Sequence, residues 1–145
     1  MISHWAFHPN DLYAFQEADY ERLEELLKQE RIIAVGEIGL DYHWDDVKPQ
    51  DQKTGFIRQI RLAQKYNKPI LIHMREATKD TLDILKDMGP LKGIMHCYSG
   101  SKEVAMELIK IGFYISFGGP LTFKKLKRGS GYGRSASFEP AVCGN

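Results

Sequence analysis

Cysteine is scarce in this sequence: Cys97 and Cys143 are the two present in 145 residues. They are too few for a disulfide framework, and no Cys-x-x-Cys pair exists to hold a zinc ion. No charge of one sign dominates, since 20 basic residues face 19 acidic ones for a net charge of +1. That balance neither demands nor excludes a polyanionic partner, because local patches matter more than totals. No apolar run approaches the length needed to cross a bilayer. The first residues, "MISHWAFHPND", lack a basic stretch followed by an apolar core, so no secretory leader is expected. A reducing cytoplasm is the expected location. With 43% hydrophobic and 27% charged residues, the chain has the composition of a globular domain rather than a disordered one.

What the sequence does have is alternation. Tyr20, Leu23, Leu26 and Leu27 share one face of a helix predicted over residues 20–30, and the apolar run 32–35 reads as a buried strand. The order then repeats. A helix is predicted over 50–66 with Phe56, Ile57, Ile60 and Ala63 on one face. A strand over 69–72 ends on His73, and a helix follows over 77–88. A short strand, 93–95, ends on His96. Ser101 reads as the N-cap of a further helix and Gly112 as its C-terminal stop. A last strand is expected at 113–117, and "HWAF" at 4–7 reads as the remnant of an earlier one. Strand and helix in regular succession argue for parallel strands with crossover helices. Two architectures satisfy this pattern, an open doubly wound sheet or part of a (β/α)8 barrel. The closing segment "RGSGYGRSASFEPAVCGN" has no periodic apolar face and reads as a disordered tail. The preceding "KKLKR" reads as a solvated charge run or as a nucleic-acid patch.

The strand ends carry the chemistry. Glu37 stands between two glycines just after a buried run, where a carboxylate is costly unless it is paired or holds a metal. His73 and His96 end the next two strands. In parallel α/β folds the carboxyl ends of strands share one rim, where active sites are built. One carboxylate with two imidazoles is a common set for a divalent ion. Glu37, His73 and His96 are therefore the candidate metal ligands, with a salt bridge as the plainer reading of Glu37. Arg75 reads either as a bidentate phosphate clamp or as an ion-pair partner of Glu76 or a nearby aspartate. Asp41 has three readings: it orients a water, holds a ligand histidine, or pairs with Arg75. "YSG" at 98–100 leads into a helix N-terminus that favours anions, or is simply a capped turn. His43 reads as part of a solvated loop, and Cys97 as a small buried residue.

"GEIGLDYHW", "PILIHMREA", "MHCYSG" and "FYISFGGPLTF" together resemble the TatD family of metal-dependent deoxyribonucleases, over about residues 8–123. The resemblance implies a (β/α)8 barrel of the amidohydrolase-like group. It implies divalent ions (Mg²⁺, Mn²⁺ or Zn²⁺) at the barrel mouth, two in a full-length relative. It also implies DNA as substrate, with phosphodiester hydrolysis often from the 3′ end. Glu37 matches the family's bridging carboxylate, and His73 and His96 match its two middle histidine ligands. No membrane and no obligate protein partner are expected.

The sequence also departs from the family. Nothing matches the family's opening His-x-His strand, and no late strand ends on a ligand aspartate. That aspartate is the usual candidate for water activation, so the resemblance assigns this role to no residue here. A complete barrel runs to about 250 residues. The expectation is a partial barrel over residues 1–127, about five of eight strands, with a disordered or unrelated tail at 128–145. Three function classes follow: a deoxyribonuclease, an amidohydrolase-type enzyme of a small substrate, and a catalytically disabled fragment.

Overall fold

A computed structural model of the chain describes residues 3–117. Ser3–Trp5 (β1) leads through a 3-10 turn at Pro9–Ala14 into Glu17–Leu27 (α1). Ile32–Asp41 (β2), Pro49–Lys65 (α2), Ile70–Arg75 (β3), Thr78–Asp87 (α3), Gly93–Met95 (β4), Lys102–Lys110 (α4) and Phe113–Ile115 (β5) follow. The predicted tail, the basic run at 124–128 and the glycines after the last strand lie outside the described residues.

All strand pairs are parallel, and the sheet order is β1-β2-β3-β4-β5. A doubly wound sheet reverses its strand order at a switch point. Here each strand pairs with its successor, which is the winding of a barrel. The core lies between sheet and helices. Ile70 and Ile72 of β3 share one buried cluster with Phe56 and Ile60 of α2, all at 1% exposure or less. Their alternate neighbours Leu71 and His73 are partly exposed, as period-two alternation requires. Ile33 and Tyr114, at 51% and 73% exposure, stand clear of that core.

The expected strand end at Val35 is corrected: β2 runs ten residues to Asp41, so Glu37 sits within the strand. The flanking glycines permit close approach to β3 rather than ending the strand. A Cβ at Gly36 would stand 2.3 Å from Leu71 Cβ, and one at Gly39 would stand 1.9 Å from the His73 carbonyl oxygen. Pairing skips from Val35 opposite Ile70 to Ile38 opposite Ile72, so β2 carries one extra residue at Gly36-Glu37. Ser101 caps α4 as expected, its Oγ accepting from the Val104 N–H (3.3 Å). Gly112 follows with φ +101°, suited to glycine.

One polar triangle ties β2 to the helices. Tyr42 Oη donates to Asp80 Oδ2 (2.7 Å), and Lys53 Nζ lies 2.8 Å from the same oxygen. The Lys53 and then the Tyr42 hydrogen bonds hold the Asp80 carboxyl below its ordinary value. A lowered folded-state pKa stabilises the fold above the unfolded carboxyl value of about 3.9, and that stability disappears as pH falls through the lowered value. Asp80→Asn should therefore lower Tm at about pH 6 and leave it nearly unchanged at about pH 2. Equal losses of Tm at both pH values would refute this linkage.

Candidate metal centre

Four segments bring side chains to one rim of the sheet. Residues 6–8 leave β1 and place His8 as the N-cap of the Pro9–Ala14 turn. β2 supplies Glu37 and Asp41, and β3 supplies His73. His96 follows β4, with its backbone N–H donating to the Ile72 carbonyl (2.8 Å).

One helix fixes two of these segments. Gln59 on α2 is 1% exposed. Its Oε1 accepts from the Phe7 N–H (2.8 Å) and its Nε2 donates to the Phe7 carbonyl (3.1 Å), one residue before His8. Two turns earlier Gln52, also 1% exposed, does the same to Asp41: Oε1 accepts from its N–H and Nε2 donates to its carbonyl, both at 2.8 Å. Each side-chain amide takes the place of a neighbouring strand's peptide. The backbone polar groups that would otherwise be left unpaired in the interior are thereby satisfied.

Glu37 lies at the centre. Its Oε2 is 3.8 Å from His73 Nδ1 and its Oε1 is 2.7 Å from His96 Nδ1. His8, Glu37 and His73 each offer a donor atom, all within 4.8 Å of one another, and the His8 and His73 rings stand 4.4 Å apart. The tightest grouping is thus not the expected Glu37, His73 and His96. His8 joins Glu37 and His73, while His96 approaches the other oxygen of the carboxylate. Glu37, His73 and His96 are a quarter to a third exposed, open to a ligand from solvent.

Asp41 lies beneath, at 1% exposure. Burial pushes its carboxyl up, but hydrogen bonds from His73 and the His43 N–H outweigh this and hold it below its ordinary value. Its Oδ2 is 2.9 Å from His73 Nε2 and its Oδ1 accepts from the His43 N–H (3.0 Å). An ionised carboxylate places a proton on His73 Nε2 and leaves the Nδ1 lone pair facing Glu37. That is the tautomer a ligand histidine needs. Of the three readings of Asp41, the geometry is that of a carboxylate holding a histidine.

Arg75 has no carboxylate partner among the described residues; its guanidinium lies 6.0 Å from the Trp44 ring centroid. Glu76 instead meets His43 Nδ1 (3.0 Å), away from the cluster. The turn at 98–100 has the geometry of a capped helix entry. Cys97, expected to be buried, is exposed, with φ +48° and Sγ 3.7 Å from His96 Nε2. The strand ends two residues before it, and the chain turns outward there.

His8 is the residue that the strand-end argument passed over. It too follows a parallel strand, at the end of the run 4–7 that reads in the sequence only as a strand remnant. Burial, then the neighbouring His73, lower its pKa and favour the neutral imidazole a metal requires. Its Nδ1 accepts a long hydrogen bond from the Asn10 N–H (3.3 Å). An ion on Nε2 would need the proton on Nδ1 and would end that contact. With this one rearrangement, the donor set of imidazoles and a carboxylate fits a divalent ion without selecting one.

The family model for TatD related DNases matches residues 1–138. The chain belongs to that family. It is 49% identical over 124 residues to YabD of Bacillus subtilis (strain 168), described as an uncharacterized metal-dependent hydrolase; the match covers 84% of this chain and 49% of the relative. It is 32% identical over 114 residues to the TatD protein of Shigella flexneri, described as a 3′-5′ ssDNA/RNA exonuclease, covering 77% and 44%. Among solved structures, the TatD homologue YJJV of Escherichia coli K12 superposes with a TM-score of 0.75 at 30% identity, covering 81% of this chain and 47% of that one. The chain spans about half the length of the curated relatives it matches. Its five strands have the winding of a partial TatD (β/α)8 barrel.

Proposed function

We propose that this site takes part in metal-dependent hydrolysis of phosphodiester bonds in DNA, acting on single-stranded 3′ ends. The observation that carries the reading is the convergence of His8, Glu37 and His73 on one point of the rim, with His96 on the second oxygen of Glu37. Membership of the TatD family supports it, as does the exonuclease description of the Shigella relative.

The chain's own groups divide the work. Glu37, His8 and His73 would hold an ion, with His96 on the far side of the carboxylate. When bound, a divalent ion supplies polarisation of a phosphoryl oxygen and a more acidic water. Asp41 keeps the His73 lone pair turned inward. Arg75, two residues beyond His73 and without a carboxylate partner among the described residues, is placed to pair with a phosphate.

Two-metal chemistry needs more ligands than these four side chains, and the family resemblance assigns water activation to no residue here. We expect the 145-residue chain to bind one ion and to cleave slowly. Absence of a positioned acid/base group alone costs about a hundred- to ten-thousandfold in rate. The test incubates the purified chain and its Glu37→Gln form with labelled single-stranded DNA and Mg²⁺, Mn²⁺ or Zn²⁺, with and without EDTA. Slow cleavage that needs the ion and Glu37 supports the reading. Cleavage that survives both EDTA and Glu37→Gln, or cleavage of small amides instead of DNA, overturns it. Ion binding without any cleavage would favour the catalytically disabled reading.

A further inference from the structure

The loop after β2 carries an aromatic ring that nothing above uses. Trp44 is 51% exposed, three residues beyond Asp41. A tryptophan serving only to pack would be covered. Its ring meets His43 edge-on (4.7 Å, 87°), which fixes its orientation, and the Arg75 guanidinium lies 6.0 Å from its centroid. Trp44 also lines a cavity of about 190 Å³ with Tyr42, Asp45, Val47, Lys48, Pro49 and Gln52. The ring thus neighbours both the Arg75 guanidinium and a cavity whose lining carries one cation, Lys48, and one anion, Asp45.

Their relation to the metal cluster follows from the strands. Arg75 pairs in register with Asp41, and His73 pairs with Gly39. His73 and Arg75 are two residues apart on β3, so their side chains leave the same face about 6.6 Å apart. That is comparable to the separation of successive phosphates on an extended single strand. A phosphate at the cluster would leave its neighbour near Arg75 and the attached base near Trp44.

We propose that Trp44 and Arg75 form a nucleotide subsite one step from the metal cluster, with Trp44 stacking on the base and Arg75 pairing with the phosphate. The proposal rests on the nucleic-acid reading of the site and adds to it how the strand is gripped. Every base has a π face, so a ring of this kind takes any base without choosing a sequence. It also selects unpaired strands, since a base within a duplex has no free face.

The sequence contains two tryptophans, Trp5 and Trp44. In a Trp5→Phe background Trp44 is the sole tryptophan, excited selectively at wavelengths beyond tyrosine absorption. The chain is titrated in EDTA, where cleavage is blocked, with oligothymidylate and with an abasic oligodeoxynucleotide of equal length. We expect oligothymidylate to quench Trp44 and to bind about five- to a hundredfold more tightly than the abasic strand, the span of one stacked base. Followed by anisotropy of labelled strands, Trp44→Ala should remove that preference and leave abasic binding unchanged, while Trp44→Phe keeps most of it. Arg75→Gln should weaken both strands alike and reduce the salt slope by about 1. If the unaltered chain binds both strands equally, or Trp44→Ala retains the preference, the subsite is wrong while the nucleic-acid reading stands. If neither strand binds, both fall.

Discussion

Glu37→Gln is expected to reduce divalent-ion affinity at least a hundredfold while leaving the fold intact. The substitution keeps the shape of the side chain and removes its charge. Glu37 is the carboxylate in the grouping with His8 and His73, and the same side chain meets His96 through its second oxygen. Replacing a group one shell further out commonly costs ten- to a hundredfold in affinity, so loss of the central anionic ligand should cost no less. Stability without metal should change little, because the side chain is partly exposed and its neighbours are imidazoles that water can reach. Calorimetric titration with Mn²⁺ or Zn²⁺ measures the first effect and thermal unfolding in EDTA the second. Affinity within a few-fold of the unaltered chain would remove Glu37 from the ligand set.

Gly39→Ala should be among the most destabilising single changes in the chain, costing at least about 3 kcal/mol, a large share of the stability of an ordinary small domain. Two penalties coincide there. Gly39 has φ +144°, where a side chain is strained, and the new Cβ would fall 1.9 Å from the His73 carbonyl oxygen. That oxygen belongs to the backbone of a paired strand and cannot swing aside. Relief requires parting β2 from β3, which also displaces His73 from Glu37 and Asp41. Gly89→Ala is the matched control: φ is +84° but nothing lies within 4 Å of the added carbon. It carries the conformational penalty alone, about 1–2 kcal/mol. Chemical denaturation of the two variants side by side gives the comparison. Equal losses would mean that the close approach of the two strands contributes nothing.

The helices and strands were legible because their burial follows simple periods. The helical face of Phe56, Ile60 and Ala63 and the run at 70–72 announce themselves in the sequence. So do the caps at Ser101 and Gly112, since each supplies a group or a conformation that few residues offer. Gly36 and Gly39, which flank Glu37 just after the apolar run, lie within β2 and let it approach β3. The same residue type ends strands and lets them touch, and only the opposing backbone distinguishes the two. Glu37, His73 and His96 are singled out in the sequence as strand-end residues; Glu37 lies within β2 instead, and the structure still brings it within reach of both histidines. His8 directly follows the run at 4–7, but that run reads only as the remnant of a strand, so the ligand pattern built on the three later strands does not extend to it. The glutamine latches were invisible for another reason. A buried glutamine on an apolar face has no sequence signature until the peptide it pairs with is known.

Because Gln52 and Gln59 leave the same helix, α2 acts as a single fastener for two segments of the rim. Local opening of α2 would release Phe7 and Asp41 together, and with them the footing of His8 and His73. An ion that binds only the assembled cluster must then oppose that opening, by about 2.7 kcal/mol at a hundredfold excess over its Kd. The amides of α2, none of which touches the ion, would exchange with solvent more slowly as the metal concentration rises. Occupancy of the rim is thereby written into the breathing of a helix on the far side of the sheet.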